Sequence, residues 1–182
     1  MSSIASFSTY DVAVPVLTRG LQTLDHVLHK AEAYAKEKGL EVDAVFPQAR
    51  LIEDQNPLVF QVQNATKTVR NYVNHLTGQE VAAFEDNEKT FADLHARIQV
   101  ALELLKKVTP DVANSRGESQ STTFNPSGTY PVTLKVKEAV LFQGIPNFIF
   151  HLTTAYSILR AKGVPVGKAD FIANFLDIPG FE

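Results

Sequence analysis

The stretch from Asn147 to Gly163, NFIFHLTTAYSILRAKG, constrains the fold of this chain more than any other. Its apolar residues recur at helical spacing and form one stripe along a helix: Phe148, Leu152, Ala155 and Leu159. Pro146 suits the first helical position because it has no N–H group to lose, and Gly163 is a typical residue just past a helix end. The stretch therefore predicts a long helix that buries one face.

A second, more polar stripe runs beside the apolar one and carries the single histidine of this helix: Asn147, His151, Thr154 and Ile158. His151 lies one turn into the helix, near the positive end of the helix dipole, which disfavours an imidazolium. The neutral ring is the form that binds metals or accepts a proton. We therefore expect a pocket around His151, with Asn147 and Tyr156 as further candidate catalytic residues.

Composition limits the class of protein. The chain has 182 residues, of which 45% are hydrophobic and 20% are charged, so one globular domain over residues 1–182 is expected. A net charge of −3 argues against a nucleic-acid partner. No apolar stretch approaches the roughly 20 residues of a membrane span, so no membrane partner is expected. The absence of cysteine excludes disulfides and thiolate ligands and suits a cytoplasmic protein.

Hydrophobic periodicity predicts three further long helices: Thr9–Lys38, Pro57–Thr77, and one from a cap at Asp86 or Asn87 to Val108. A short helix is expected at Asp43–Phe46 and a short docking helix at about 168–176. Between the third and fourth long helices, residues from about 119 to 137 read as a β-hairpin around a turn at Asn125–Gly128. The predicted fold is an all-α four-helix bundle with a small β-hairpin insertion before the last main helix.

The other histidines leave two interpretations open. His26 and His29 share a face of the first helix at a spacing of three, which fits either a metal-binding pair or a polar outer face. His95 follows Leu94 and is assigned to a solvated helix edge. His75 lies near the end of the second long helix.

Four stretches of the chain resemble a known family: YDVAVPVLTRGLQTL, ARLIEDQNPL, FEDNEKTFADLHARI and NFIFHLTTAYSILRAKGVPVGKADF. They are similar to an uncharacterised domain-of-unknown-function family that is grouped with the DinB/YfiT-like superfamily, a set of proteins regarded as metalloenzymes. The resemblance extends from about Phe7 to Phe171. It implies a DinB/YfiT-like bundle and names no reaction.

The superfamily resemblance also implies a metal site. DinB-like proteins typically carry one histidine on the second helix and a His-x-x-x-His pair on the last, and the three bind a divalent metal, often nickel or zinc. Matching the end of the last helix to Leu159–Gly163 puts the second histidine of the pair on His151 and the first on Asn147. The remaining ligand falls on His75. Because asparagine is a poor ligand for such metals, this set is incomplete.

Two hypotheses of function follow. The first is a small-molecule enzyme, an isomerase, cyclase or group transferase, in which His151 is an acid/base or a metal ligand beside Asn147, His75 and Tyr156. The second is a non-catalytic small-molecule-binding or dimerisation module with a degenerate metal site. A homodimer is expected from the resemblance and from extra apolar residues on the first helix: Val12, Val14, Val16 and Val27. The alternative is that residues 40–57 cover that second apolar face.

Overall fold

The structure, a computed structural model, describes residues 6–125 and 130–178. The elements follow one another as α1 (Thr9–Lys38), α2 (Val42–Val45), α3 (Leu58–Thr77), α4 (Phe91–Lys106), α5 (Pro110–Ser119), β1 (Ser121–Phe124), β2 (Val132–Lys135), α6 (Val136–Ala139), a π-helical turn (Val140–Gly144), α7 (Ile145–Ala161), α8 (Lys168–Ile172) and a 3₁₀ turn (Ala173–Leu176).

Four long helices form the bundle, and each packs against two neighbours. Helix α3 lies against α7 and α4, and α1 lies against the same two helices from the other side. Helices α4 and α7 therefore occupy opposite corners, so the α1–α4 interface and the α3–α7 interface lie on different sides. The fold is the predicted all-α bundle with a small hairpin.

Local sequence signals fix the ends of the two helices that matter most for the site. Ser8 and Asp11 form a reciprocal capping box at the start of α1, and Gly39 ends that helix with a positive φ of 64°. Helix α1 continues through Pro15 rather than restarting there. Thr90 and Asp93 form the same kind of box at the start of α4.

Two predicted helix boundaries are corrected, and one helix is an addition to the prediction. Helix α4 begins at Phe91 and not after Asp86 or Asn87, because the Thr90 box satisfies the free N–H groups four residues later. Helix α3 begins at Leu58, one residue after the predicted start at Pro57, which is its N-cap, and no side chain caps it. Helix α5 was not predicted from its polar sequence.

The hairpin insertion is confirmed as a two-stranded antiparallel sheet. Its register pairs Ser121 with Lys135 and Phe124 with Val132. The predicted turn at Asn125–Gly128 lies mostly outside the described residues, as does the end of the chain after residue 178. The extent of one domain over residues 1–182 stays a prediction.

The bundle core covers most of the apolar residues that were assigned to a second face of α1. Val14 and Val27 are 7% and 0% exposed, and Val12 packs against the core from a partly buried position. The C-terminal segment, α8 and the 3₁₀ turn, packs against α1. Among the described residues, no helix combines the length and hydropathy that a membrane crossing requires.

Candidate metal site and groove

A groove lies between α1 and α4, and two matching rows of side chains line it. Each row follows the spacing i, i+4, i+7, i+11, which keeps its members on one face of the helix. The α1 row consists of Thr18, Gln22, Asp25 and His29. The α4 row consists of His95, Gln99, Leu102 and Lys106, of which all but His95 line a cavity of about 510 Å³ in the groove. We call this feature the α1–α4 groove.

One end of the groove holds two histidine rings between two carboxylates. The rings of His29 and His95 stack with their centroids 4.0 Å apart. On the inner side, His95 Nδ1 lies 2.6 Å from Asp25 Oδ1, and His29 Nε2 lies 3.8 Å from Asp25 Oδ2. On the outer side, Glu32 Oε2 lies 2.9 Å from His29 Nδ1 and 3.4 Å from His95 Nε2. These four residues form the stacked-histidine cluster.

The charges of the cluster act on His95 in particular. Burial alone would lower the pKa of His95, but the hydrogen bond to Asp25 and the charges of Asp25 and Glu32 outweigh burial and raise it. The side chain of His95 is only 15% exposed, whereas that of His29 is 61% exposed. His95 therefore lies in a partly buried acidic cluster, and its assignment to a solvated edge is corrected.

The cluster has the donor types and spacing of a divalent metal site. Asp25, His29 and His95 each offer one ligand atom, and the three atoms lie within 4.8 Å of one another. Imidazole nitrogens and a carboxylate oxygen are common ligands of zinc and nickel. Glu32 accepts the Nδ1–H of His29, which leaves Nε2 of this ring as the nitrogen that could bind a metal, and Gln99 donates to Asp25 Oδ2 at 3.2 Å.

His26 does not join the stacked-histidine cluster. Its Nε2 lies 3.0 Å from Asp170 Oδ1 of the C-terminal segment, although its side chain also lines the cavity. Of the two interpretations left open by the sequence, the metal-binding pair of His26 and His29 does not form, since the partners of His29 are Asp25, Glu32 and His95. Although the two histidines are only three residues apart on α1, their side chains contact different neighbours.

His151 lies at the other interface, between α7 and α3. It is 9% exposed and donates from Nδ1 to Gln61 Oε1 at 2.8 Å, with the rings of Phe60 and Phe150 edge-on to it. Burial lowers the pKa of His151, so the neutral ring is favoured as the sequence suggested. The α1–α4 groove does not include His151.

The other predicted catalytic residues do not converge on His151. Asn147 lies one turn earlier and donates to Thr68 Oγ1 at 2.7 Å. The ring of Tyr156 lies edge-on to Phe171 of α8, with centroids 5.7 Å apart, and its hydroxyl lies 3.5 Å from the carbonyl oxygen of Val166. Asn147 thus binds α3, while Tyr156 faces the C-terminal segment.

The structure separates His75 from His151, so the expected shared ion is corrected. His151 is bonded to Gln61, and His75 lies fourteen residues further along the same helix, a rise of about 21 Å. His75 instead has Thr122 Oγ1 3.4 Å from its Nε2 and contacts the rings of Tyr72 and Phe124. Burial, assisted by the charge of Arg116, lowers the pKa of His75. The ligand set transferred from the superfamily does not form a metal site.

Comparison with known proteins agrees with the fold. A family model described as a domain of unknown function (DUF1993) matches residues 9–172. A crystal structure of a DinB family member protein from Shewanella denitrificans is 34% identical, with a TM-score of 0.79 over 90% of each chain. No curated protein matches the chain. The chain therefore belongs to the DUF1993 family of DinB-like proteins.

Proposed function

We propose that this DinB-like protein binds a divalent transition metal, zinc or nickel, at Asp25, His29 and His95, and a small molecule in the adjoining groove. One observation carries the proposal: three ligand atoms lie within 4.8 Å of one another at the end of a cavity of about 510 Å³. Cavities of about 300–1,000 Å³ are typical of small-molecule sites.

The surroundings of the three ligands support this proposal. Glu32 binds the outer nitrogen of His29, an arrangement that orients metal-binding histidines and makes them more basic. Gln99 fixes the second oxygen of Asp25. Because the pKa of His95 is raised and a metal ligand must be the neutral imidazole, a proton competes with the metal at this ring, and metal affinity should increase with pH.

A site with three protein ligands and an open position supports small-molecule chemistry. A divalent metal supplies Lewis-acid polarisation of a ligand oxygen when it is bound there. The residues of this chain would hold the ligand in place: Gln22 and Gln99 present amides to the cavity, and Asn174 closes it from the C-terminal segment. An isomerase, cyclase or group transferase would use such a site, and we propose this class of activity for the groove rather than for His151.

Metal titration tests the proposal. We expect metal-free protein to bind one zinc or nickel ion per chain by isothermal titration calorimetry. His29→Ala should abolish this binding while leaving the fold intact, because the side chain of His29 is 61% exposed. Glu32→Gln should weaken binding about 10–100-fold, as losses of outer partners do.

His75→Ala is the matched control because it removes a histidine that lies beside the β-hairpin and outside the cavity lining, and it should leave metal affinity unchanged. Failure of the wild-type protein to bind either metal would mean that the stacked-histidine cluster is a charge clamp between α1 and α4. Equal affinity of His29→Ala and wild type would also contradict the proposal.

A second candidate function, a dimerisation module, is supported by exposed aromatic residues on another surface. Phe142 and Phe150 are 70% and 58% exposed, and Leu141, which precedes Phe142 in the chain, is 45% exposed. These residues belong to the π-helical turn and α7. We propose a homodimer through this surface, which we call the α7 aromatic face, in place of the apolar residues of α1. This assembly is compatible with metal binding in the groove.

A further inference from the structure

We propose that the α1–α4 groove binds an elongated diacid, with one acidic group at the metal and the other at Lys106. The inference rests on the proposed metal site and names the class of its ligand. It is carried by the arrangement of metal ligands, amides and one lysine along the groove.

The length of the groove determines the shape of the ligand that can contact both of its ends. His95 and Lys106 are eleven residues apart on α4, and Thr18 and His29 are eleven residues apart on α1. Each separation is a rise of about 16 Å. The stacked-histidine cluster marks one end, and Lys106 and Thr18 mark the other. A ligand that contacts both ends must therefore be elongated.

The two ends of the groove offer a coordination position and a positive charge. A divalent metal held by Asp25, His29 and His95 would keep a coordination position open, and a carboxylate oxygen is a common ligand at such a position. At the opposite end, Lys106 is the single lysine or arginine among the residues that line the cavity. Its ammonium lies 2.6 Å from Glu103, but both side chains are more than half exposed, so this pair is worth little and Lys106 can turn into the groove. Both ends thus suit an acidic group.

The middle of the groove is polar. Gln22, Gln99 and Asn174 line it, and each amide can both donate and accept hydrogen bonds. Within the described part of the chain, the side chains of Gln22 and Thr18 form no hydrogen bond, so they are available to a ligand. Leu102 is the one aliphatic residue of the lining. The centre of the ligand should therefore carry hydrogen-bonding groups.

A matched pair of probes tests the inference on zinc-loaded protein. Glutarylglycine has two carboxylates and a central amide, and valerylglycine replaces the distal carboxylate with a methyl group. We expect glutarylglycine to bind more tightly by up to about fivefold, the limit for an exposed ion pair. Lys106→Ala should remove this preference, and Lys107→Ala, a neighbouring exposed lysine outside the cavity lining, should preserve it.

The outcomes separate this inference from the metal proposal. Zinc binding measured without a probe decides the metal site by itself. If zinc binds but the two probes bind equally, or neither binds, the diacid inference fails and the metal site stands. A preference that survives Lys106→Ala, or that persists in metal-free protein, also overturns the inference. Absence of zinc binding overturns the proposed function directly.

Discussion

Two buried or partly buried histidines of this protein respond to their surroundings in opposite ways. Burial lowers the pKa of His151, whose single hydrogen bond joins the neutral amide of Gln61. The pKa of His95 is raised because Asp25 and Glu32 outweigh the same burial. Residue type and helical position are alike in the two cases, so the carboxylates alone decide the sign.

The lowered pKa of His151 makes folding stability depend on pH. The ordinary pKa of histidine is about 6.5. Below this pH, the ring in the unfolded chain takes up a proton, whereas the buried ring stays neutral. The free energy of unfolding therefore decreases as the pH is lowered. His151→Asn keeps a side-chain donor for Gln61 and removes this titration. We expect the variant to lose less stability than wild type between about pH 7.5 and pH 5.5 in urea unfolding. Identical losses would contradict the assignment.

Arg97 is a buried charge that holds the connection before α4 in place. Its side chain is 2% exposed and pairs with Glu88 and Asp86, each at 2.7 Å. It also donates to Thr66 Oγ1 at 2.6 Å, and Phe84 stacks on its guanidinium. The connection thus acquires an anchor that its polar sequence does not reveal.

Removing Arg97 should therefore be costly. Arg97→Ala leaves Glu88, whose side chain is 10% exposed, without its charged partner, and we expect a loss of about 3–5 kcal/mol in the free energy of unfolding. Lys137→Ala breaks the exposed pair with Glu118 and should cost less than about 1 kcal/mol. Similar losses in both variants, measured by urea unfolding, would mean that Arg97 does not anchor the connection.

At the scale of elements, α1 and α7 approach closely because Gly20 has no side chain. A methyl group at Gly20 would overlap the ring of Phe148, which is fully buried. Gly20→Ala gains about 1 kcal/mol of helix propensity, but the overlap in a packed core should cost about 1–3 kcal/mol. We therefore expect a net loss in thermal stability, whereas Gly167→Ala, with its nearest neighbour 3.9 Å away, should be close to neutral. A stabilised Gly20→Ala variant would show that Phe148 moves freely.

The elements that the sequence predicted are those with strong local signals. Helix α1 matches its predicted range of Thr9–Lys38 because periodicity and Gly39 define it within the chain. Helix α5 was not predicted because most of its residues are polar. The burial of two small residues, Ala113 and Gly117, against other elements stabilises it. Close approach of this kind depends on tertiary packing, which one sequence does not display.

At the scale of the whole molecule, the sequence identified the bundle but brought together two histidines, His75 and His151, that the structure separates. Periodicity put His151 and Asn147 on one face of α7 correctly, but it could not say that this face meets Gln61 and Thr68 rather than His75. The stacked-histidine cluster joins His29 to a residue 66 positions later. The sequence does contain a signal for this groove, because mainly polar residues recur at i, i+4, i+7 and i+11 on both α1 and α4. The signal predicts a shared groove only when the two helices are known to be neighbours.

The oligomeric state of the protein can be tested through the α7 aromatic face. The α7 aromatic face exposes Phe142 and Phe150 by 70% and 58%, and exposed aromatic residues are enriched in protein interfaces. We expect wild-type protein at micromolar concentration to scatter light as a dimer, at twice the 20.0 kDa mass of the chain. Phe142→Glu should convert it to a folded monomer, because a buried charge at an interface is unfavourable and the same charge in solvent is not.

Val100→Glu provides the matched control for this experiment. Val100 is 51% exposed and belongs to α4, which lies at the corner of the bundle opposite α7. The same charge at this position should leave the dimer intact, so a loss of assembly in both variants would indicate a general effect of charge. A wild-type protein that behaves as a 20.0 kDa monomer would refute the dimer outright. The metal site would survive that result, because its three ligands come from α1 and α4 of one chain.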